Sequence, residues 1–186
     1  MTQNDNFEKL VEELEEKRNK DCNIFKILRV DNYEIRHSNF LTWLFDKNAS
    51  HNIGTEFLKK FLDKAKIELP LEFFNKNIEI ESEVKIEIIK NHKKRVGRID
   101  ILLTGEDFVC VIENKYGSFE HDNQCQDYKR FIEDKYKSKK HKYFVFLDLS
   151  KPSGFDSTEG RYSGYNFVSY NDILDILKKY WKRKIV

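Results

Sequence analysis

The chain has little of what extracellular, membrane-spanning or modular proteins are built from. It has only three cysteines, Cys22, Cys110 and Cys125, and their spacing forms no pair. That excludes a disulfide framework, a zinc site and an iron–sulfur site, and fits reduced thiols in the cytoplasm. No apolar run approaches the roughly 20 residues of a membrane span, and no signal peptide is visible. Charge of one sign is also missing: 34 Lys and Arg stand against 32 Asp and Glu, a net charge of +2. With no global basic field, any contact with a polyanion must come from a local patch. Internal repeats, low-complexity tracts and linkers are absent. The two prolines, Pro70 and Pro152, stand at the ends of units.

What is present suits one domain over 1–186, since 186 residues can enclose a real core. Hydrophobic content is 39%, with a heavy aromatic share of 14%. Residues 1–76 read as helices packing on a core, and 77–186 as the sheet and core helices. Phe7, Leu10, Val11 and Leu14 recur at helical spacing. Asn23–Leu28 reads as a helical turn. A helix over Tyr33–Phe45 follows, with Asp31 or Asn32 placed to cap it. Thr55 is placed to cap a third helix carrying Phe57, Leu58, Phe61 and Leu62. Ile78–Ile89 alternates throughout, with Ile78, Ile80, Ser82, Val84, Ile86 and Ile88 assigned to one face. The spacing predicts a helix over Gln124–Tyr136, a buried strand Tyr143–Leu147, and a strand Asn166–Val168. A last helix is capped by Ser169 with Asp172 three residues on. Lys135–Lys142 reads as a solvated basic loop.

The centre of the chain lies at 97–115. Two branched-residue runs flank the turn-like Thr104-Gly105-Glu106-Asp107, which reads as a hairpin. Asp100 lies near the start of its first strand, and Glu113 and Lys115 lie at the end of its second. The start of one strand lies beside the end of the next, and residues i and i+2 share a face. Two carboxylates and an ammonium therefore converge. Asp100 and Glu113 repel if both ionise with nothing between them; Mg²⁺, an oxygen-seeking ion held by one or two carboxylates plus water and phosphate, resolves that conflict. The Asn114 carbonyl is a candidate further ligand, and Lys115 a candidate to orient water or offset charge developing on phosphorus. Glu-x-Lys nevertheless occurs four times, at Glu15, Glu83, Glu113 and Glu133, so a surface ion pair is the competing reading. Only the copy at Glu113 ends an apolar run that follows an Ile-Asp-Ile-Leu-Leu strand.

Asp100 followed by Glu113-Asn114-Lys115 resembles the core motif of the PD-(D/E)XK nuclease superfamily, the restriction-endonuclease-like fold. Asn23–Leu28, Glu34–Asp46 and His51–Gly54 look like the N-terminal part of a bacterial branch of it. Gln124 and Tyr128 resemble the Gln-x-x-x-Tyr element of its RecB-like members. Ile99 stands where the name-giving proline would be. The resemblance implies an α/β fold with an αβββαβ core, a mixed sheet flanked by helices and extra N-terminal helices. It also implies a Mg²⁺- or Mn²⁺-dependent nuclease acting on nucleic acid, DNA first. The alternative is a nuclease-fold module that binds DNA or protein with little catalysis. A homodimer is compatible with either, and no membrane is involved.

Glu34 lies on the helical face of Leu41 and Leu44, so it points inward with His37. It reaches the metal, as helix-borne acids do in the resembled family, or it pairs with Arg36 or His37. Glu83 is the candidate additional acid, a solvated face being the other reading. Lys93, Lys94 and Arg95, with Arg98 beyond the turn, are placed to touch phosphates or to solvate a hairpin tip. Gln124 and Tyr128 are placed to hold a phosphate or base, or to form the edge of the core.

Overall fold

The computed structural model describes residues 33–90, 93–116 and 123–181, without the side chains of Lys90, Lys93 and Trp181. The helix expected around Phe7–Leu14, the turn at Asn23–Leu28, Cys22 and the capping residues Asp31 and Asn32 lie outside the described residues. From Glu34 onward the chain forms one compact unit. In order it contains α1 (Glu34–Phe45), α2 (Glu56–Lys64), α3 (Leu71–Asn75), β1 (Glu79–Lys90), β2 (Lys93–Thr104), β3 (Phe108–Asn114), α4 (Gln124–Lys135), β4 (His141–Asp148), β5 (Tyr165–Ser169) and α5 (Tyr170–Trp181). The five strands lie in the order β1-β2-β3-β4-β5. The β1–β2 and β2–β3 pairs are antiparallel, and β3–β4 and β4–β5 are parallel.

Each face of this mixed sheet buries its own core. On one face Leu41, Leu44, Phe57, Phe61 and Ile173 pack against Ile101, Cys110 and Ile112. On the other, Cys125, Tyr128 and Ile132 of α4 pack against Leu102, Val109 and Val111. β3 is buried at all seven positions, as a strand covered on both sides must be. Its odd residues therefore face α4 and its even residues face α1, which sends Glu113 and Asn114 to opposite sides.

Ser169 and Asp172 form the expected capping box. The Ser169 main-chain N–H and hydroxyl donate to Asp172 at 3.0 and 2.7 Å, and the Asp172 N–H donates to Ser169 Oγ. Thr55 precedes α2 but makes no side-chain cap bond. Lys139 is no solvated loop residue: its ammonium donates to the Gly105 and Glu106 carbonyls at 2.7 and 2.8 Å, closing the β2–β3 turn.

The single-faced alternation expected for Ile78–Ile89 is corrected. Ile78 and Ile80 pack with the α1 core, whereas Val84, Ile86 and Ile88 pack with the α4 core. The switch falls at Glu83, whose φ is +59°. Opposite, β2 switches too: Ile101 belongs to the α1 side and Ile99 to the α4 side. A left-handed residue reverses the pleat, so one alternating pattern serves two cores. The pairs on either side are Ser82↔Ile101 and Val84↔Ile99, so Glu83 stands across from Asp100.

Candidate active site

The site forms where β2 and β3 part. Their paired register runs only from Thr104↔Val109 to Ile101↔Ile112. Beyond it, side chains take over the main-chain groups left without a strand partner. Asp100 Oδ2 accepts the Asn114 N–H at 2.8 Å. The Tyr128 hydroxyl accepts the Arg98 N–H at 3.0 Å and donates to the Arg98 carbonyl at 2.8 Å. The gap between the strands is thus propped open by a carboxylate and a phenol.

Asp100, Glu113 and Lys115 converge at this gap. Glu113 is fully buried and Lys115 is 7% exposed. The ammonium lies 2.8 Å from Glu113 Oε1, yet neither Glu113 oxygen receives a hydrogen bond of good geometry. A buried carboxylate without hydrogen bonds is costly. Burial and then the charge of Asp100 push the Glu113 carboxyl well above its usual range, against the pull of Lys115. Burial also drives Asp100 up to about 7, opposed by the Asn114 N–H and by Lys115 and reinforced by the charges of Glu83 and Glu34. Burial works to lower the Lys115 ammonium, but the adjacent Glu113 outweighs it and keeps the amine protonated beyond its ordinary range. Two acids that resist joint ionisation, one of them met only by the Lys115 ammonium, are an arrangement a cation relieves.

Glu34 opens α1 and is half-buried. Its Oε1 accepts the Tyr116 N–H at 2.9 Å, and its charge reaches Asp100, Glu113 and Lys115. It therefore belongs to the rim of the cluster. Its neighbour His37 is packed edge-on against the Tyr116 and Tyr170 rings, at 4.4 and 5.8 Å between centroids.

Asn114 faces the other side and ties three elements together. Its amide donates to Ser38 Oγ at 3.0 Å and to the Glu34 carbonyl at 3.3 Å. Its side-chain oxygen accepts the Tyr170 hydroxyl at 2.7 Å. The side chain is fully used as a brace between α1, β3 and α5, which leaves only the main-chain carbonyl for a ligand. The sequence carried a signal for this: Ser38 is four residues from Glu34 and three from Leu41, on the inward face.

Of the two readings offered for Gln124 and Tyr128, the observed contacts are those of the edge of the core. Tyr128 is 3% exposed, and its hydroxyl is taken by Arg98 and by the Gln124 amide at 2.8 Å. Both residues brace β2 two positions before Asp100. Gly97 makes this possible: a Cβ there would lie 2.9 Å from the Tyr128 ring and 2.8 Å from Ile88. Lys94, Arg95 and Arg98 lie exposed on β2. The side chain of Lys93 is outside the described residues. Arg98 Nε is 2.6 Å from Glu83 Oε2, so Glu83 joins the neighbourhood of Asp100 already paired.

Among the described residues no three His, Cys, Asp or Glu side chains are grouped as a ready-made metal cage. Mg²⁺ does not need one: it keeps several waters and takes one or two carboxylates with substrate phosphate. Asp100 together with the Glu113 carboxylate, which lacks a hydrogen bond of good geometry, fits that requirement.

Against this geometry, the family model described as the PD-(D/E)XK nuclease superfamily matches residues 22–186. No curated protein and no solved structure matches the chain.

Proposed function

The chain belongs to the PD-(D/E)XK nuclease superfamily, whose restriction-endonuclease-like fold its mixed sheet and flanking helices share, and on that premise we propose that it is a Mg²⁺- or Mn²⁺-dependent nuclease hydrolysing phosphodiester bonds in DNA. The observation that carries the proposal is the fully buried Glu113, with Lys115 at 2.8 Å and no hydrogen bond of good geometry. Asp100 and Glu113 hold the cation, with the Asn114 carbonyl as a third donor and Glu34 acting at the rim, directly or through water. When bound, the cation supplies a Lewis acid that polarises the phosphoryl oxygen. Lys115, kept protonated by Glu113, orients the attacking water and offsets charge that develops on phosphorus. Asn114 and Tyr128 keep β2 and β3 at the separation this requires. Lys93, Lys94, Arg95 and Arg98 contact backbone phosphates. Gln124 serves through Tyr128 rather than by touching nucleic acid.

We also read residues 1–186 as one nuclease-like domain working in the cytoplasm. The buried thiol of Cys110 agrees with a reducing compartment. Among the described residues, no helix is long and apolar enough to cross a membrane.

Purified protein should nick plasmid DNA with Mg²⁺ and leave it intact with EDTA. Asp100→Ala and Lys115→Ala should each lose activity, on the order of 10²–10³-fold for one electrostatic stabiliser. Competition among DNA, RNA and mononucleotides sets the substrate class. Salt-sensitive DNA binding without turnover in any metal would instead make the chain a nuclease-fold binding module.

A further inference from the structure

β3 and β4 run parallel, and their register sets Glu113 beside Phe146 and Asn114 beside Leu147. The ladder continues one step past β3, because the Lys115 N–H donates to the Leu147 carbonyl at 2.7 Å. Lys115 therefore stands beside Asp148, the last residue of β4. Both side chains leave the same face. The Lys115 ammonium returns to Glu113, two residues back on the α4 side, and Phe144 and Phe146 put the even residues of β4 on that side too. Neighbouring strands lie about 4.8 Å apart, so acid and amine start within a side chain's reach of each other. Asp148 is only 8% exposed. Its Oδ1 accepts the Leu149 N–H at 2.7 Å, which fixes the carboxylate at the strand end. Its neighbour on β5 is Ser169, whose hydroxyl is spent on Asp172. The carboxyl ends of parallel strands are where an α/β sheet places its ligands.

Lys115 needs such a neighbour. The charges that bear on it are those of Glu113, Asp100 and Glu34. All three are carboxylates assigned above to the cation or its waters. A bound divalent ion is the largest charge in its site; carboxylates drawn to it hold an adjacent ammonium more weakly, and the ion itself repels that ammonium. A buried ammonium with weakened partners is costly, and Lys115 is only 7% exposed. Glu34 stands at the head of α1, where its Oε1 accepts the Tyr116 N–H. Asp127, also buried, lies on α4 with Arg130 at 3.8 Å, in a groove with Glu87 and Ile88. Asp148 is the buried acid beside Lys115 that has no part in holding the cation.

We propose that Asp148 is the positioning residue for Lys115: once Glu113 serves the cation, Asp148 holds the ammonium across the β3–β4 pair and keeps it aimed at the attacking water. The inference rests on the nuclease reading and deepens it, adding to the site a residue that the Asp…Glu-x-Lys spacing does not contain. Asp148 touches neither cation nor substrate and acts only through Lys115. Its loss should therefore slow the chemical step, leave substrate binding alone, and cost nothing once Lys115 is gone.

The test compares the full chain with Asp148→Asn, Lys115→Ala, the double variant, and Asp148→Glu, which keeps the charge. Thermal melting confirms that each folds. With Mg²⁺, Asp148→Asn should lower kcat about 10–100-fold and leave KM within about 2-fold. Asp148→Glu should stay within about 5-fold of the parent. Added to Lys115→Ala, Asp148→Asn should cost less than about 2-fold more, because residues that act as one unit are not additive. Mn²⁺ affinity of Asp148→Asn, measured by calorimetry, should stay within about 3-fold of the parent's. In a crystal of the parent soaked in Mn²⁺, Lys115 Nζ should lie within about 4 Å of an Asp148 carboxylate oxygen. Full activity in Asp148→Asn, additive losses in the double variant, or loss of Mn²⁺ binding from Asp148→Asn each overturns the inference. So does a Mn²⁺ crystal with Nζ still on Glu113 or moved to Glu34. If Asp148→Asn does not fold, that crystal of the parent decides alone. A parent that cleaves no polynucleotide in any metal, while its Mn²⁺ crystal shows Lys115 on Asp148, sinks the nuclease reading and keeps the pair.

Discussion

Asp100→Asn should make the metal-free protein more stable at pH 8 while removing its activity. Burial lifts the Asp100 carboxyl from the ordinary aspartate range to about 7. Ionising a carboxyl held this far above its ordinary range destabilises the fold by an amount on the order of a few kcal/mol. This is an upper figure, because Glu113 and Lys115 readjust. The sign follows from proton counting. Between about pH 4 and 7 the folded state holds this proton and the unfolded state has lost it, so stability falls as pH rises through that window and levels off above it. Asparagine keeps an oxygen for the Asn114 N–H, which Asp100 now accepts at 2.8 Å, and carries no charge. Melting in EDTA at a series of pH values should show parent and variant alike near pH 4, with the variant's advantage growing to a plateau above pH 7. At 2–4 °C per kcal/mol for a chain of this size, the plateau is on the order of 10 °C. Mg²⁺ should then raise the melting temperature of the parent at pH 8 and not that of the variant. A variant less stable than the parent at pH 8, or a gap that does not vary with pH, would refute the reasoning.

Two further substitutions test the braces. Tyr128→Phe keeps the ring against Gly97 but strips the Arg98 N–H and carbonyl of their partner; it should cost about 1–3 kcal/mol in urea unfolding and lower kcat more than it raises KM. Asn114→Ala leaves the Tyr170 hydroxyl and Ser38 Oγ without their partner; it should cost a similar amount and abolish cleavage, whereas Tyr170→Phe alone should stay active.

The hairpin of 97–115 was legible because its signals are local: two branched strands, a turn with Gly105, and acids at matching ends. The helix caps show the limit of that logic. Ser169 and Asp172 cap α5 as their spacing implies, but Thr55 spends no side-chain bond on α2. Alternation alone could not reveal that β1 changes faces at Glu83, because the pattern is unbroken and only a positive φ reverses the pleat. Gln124 and Tyr128 were picked out by their spacing, which left open whether they meet nucleic acid or edge the core. A tyrosine near a site looks like a ligand until the open edge of β2 and the bare backbone of Gly97 show what its ring and hydroxyl fill. The basic residues Lys93, Lys94 and Arg95 stand out in the sequence, whereas the exposure of Ile89 and Val96 follows only from the register of β1 with β2.

The measurement that bears most directly on the central claim is anomalous scattering from a crystal soaked in Mn²⁺. The account predicts a peak between the carboxylates of Asp100 and Glu113, at about 2.0–2.2 Å from an oxygen of each, close to Mg²⁺ distances, with Lys115 beside it. Full-occupancy manganese elsewhere, with none in contact with Glu113, would contradict it.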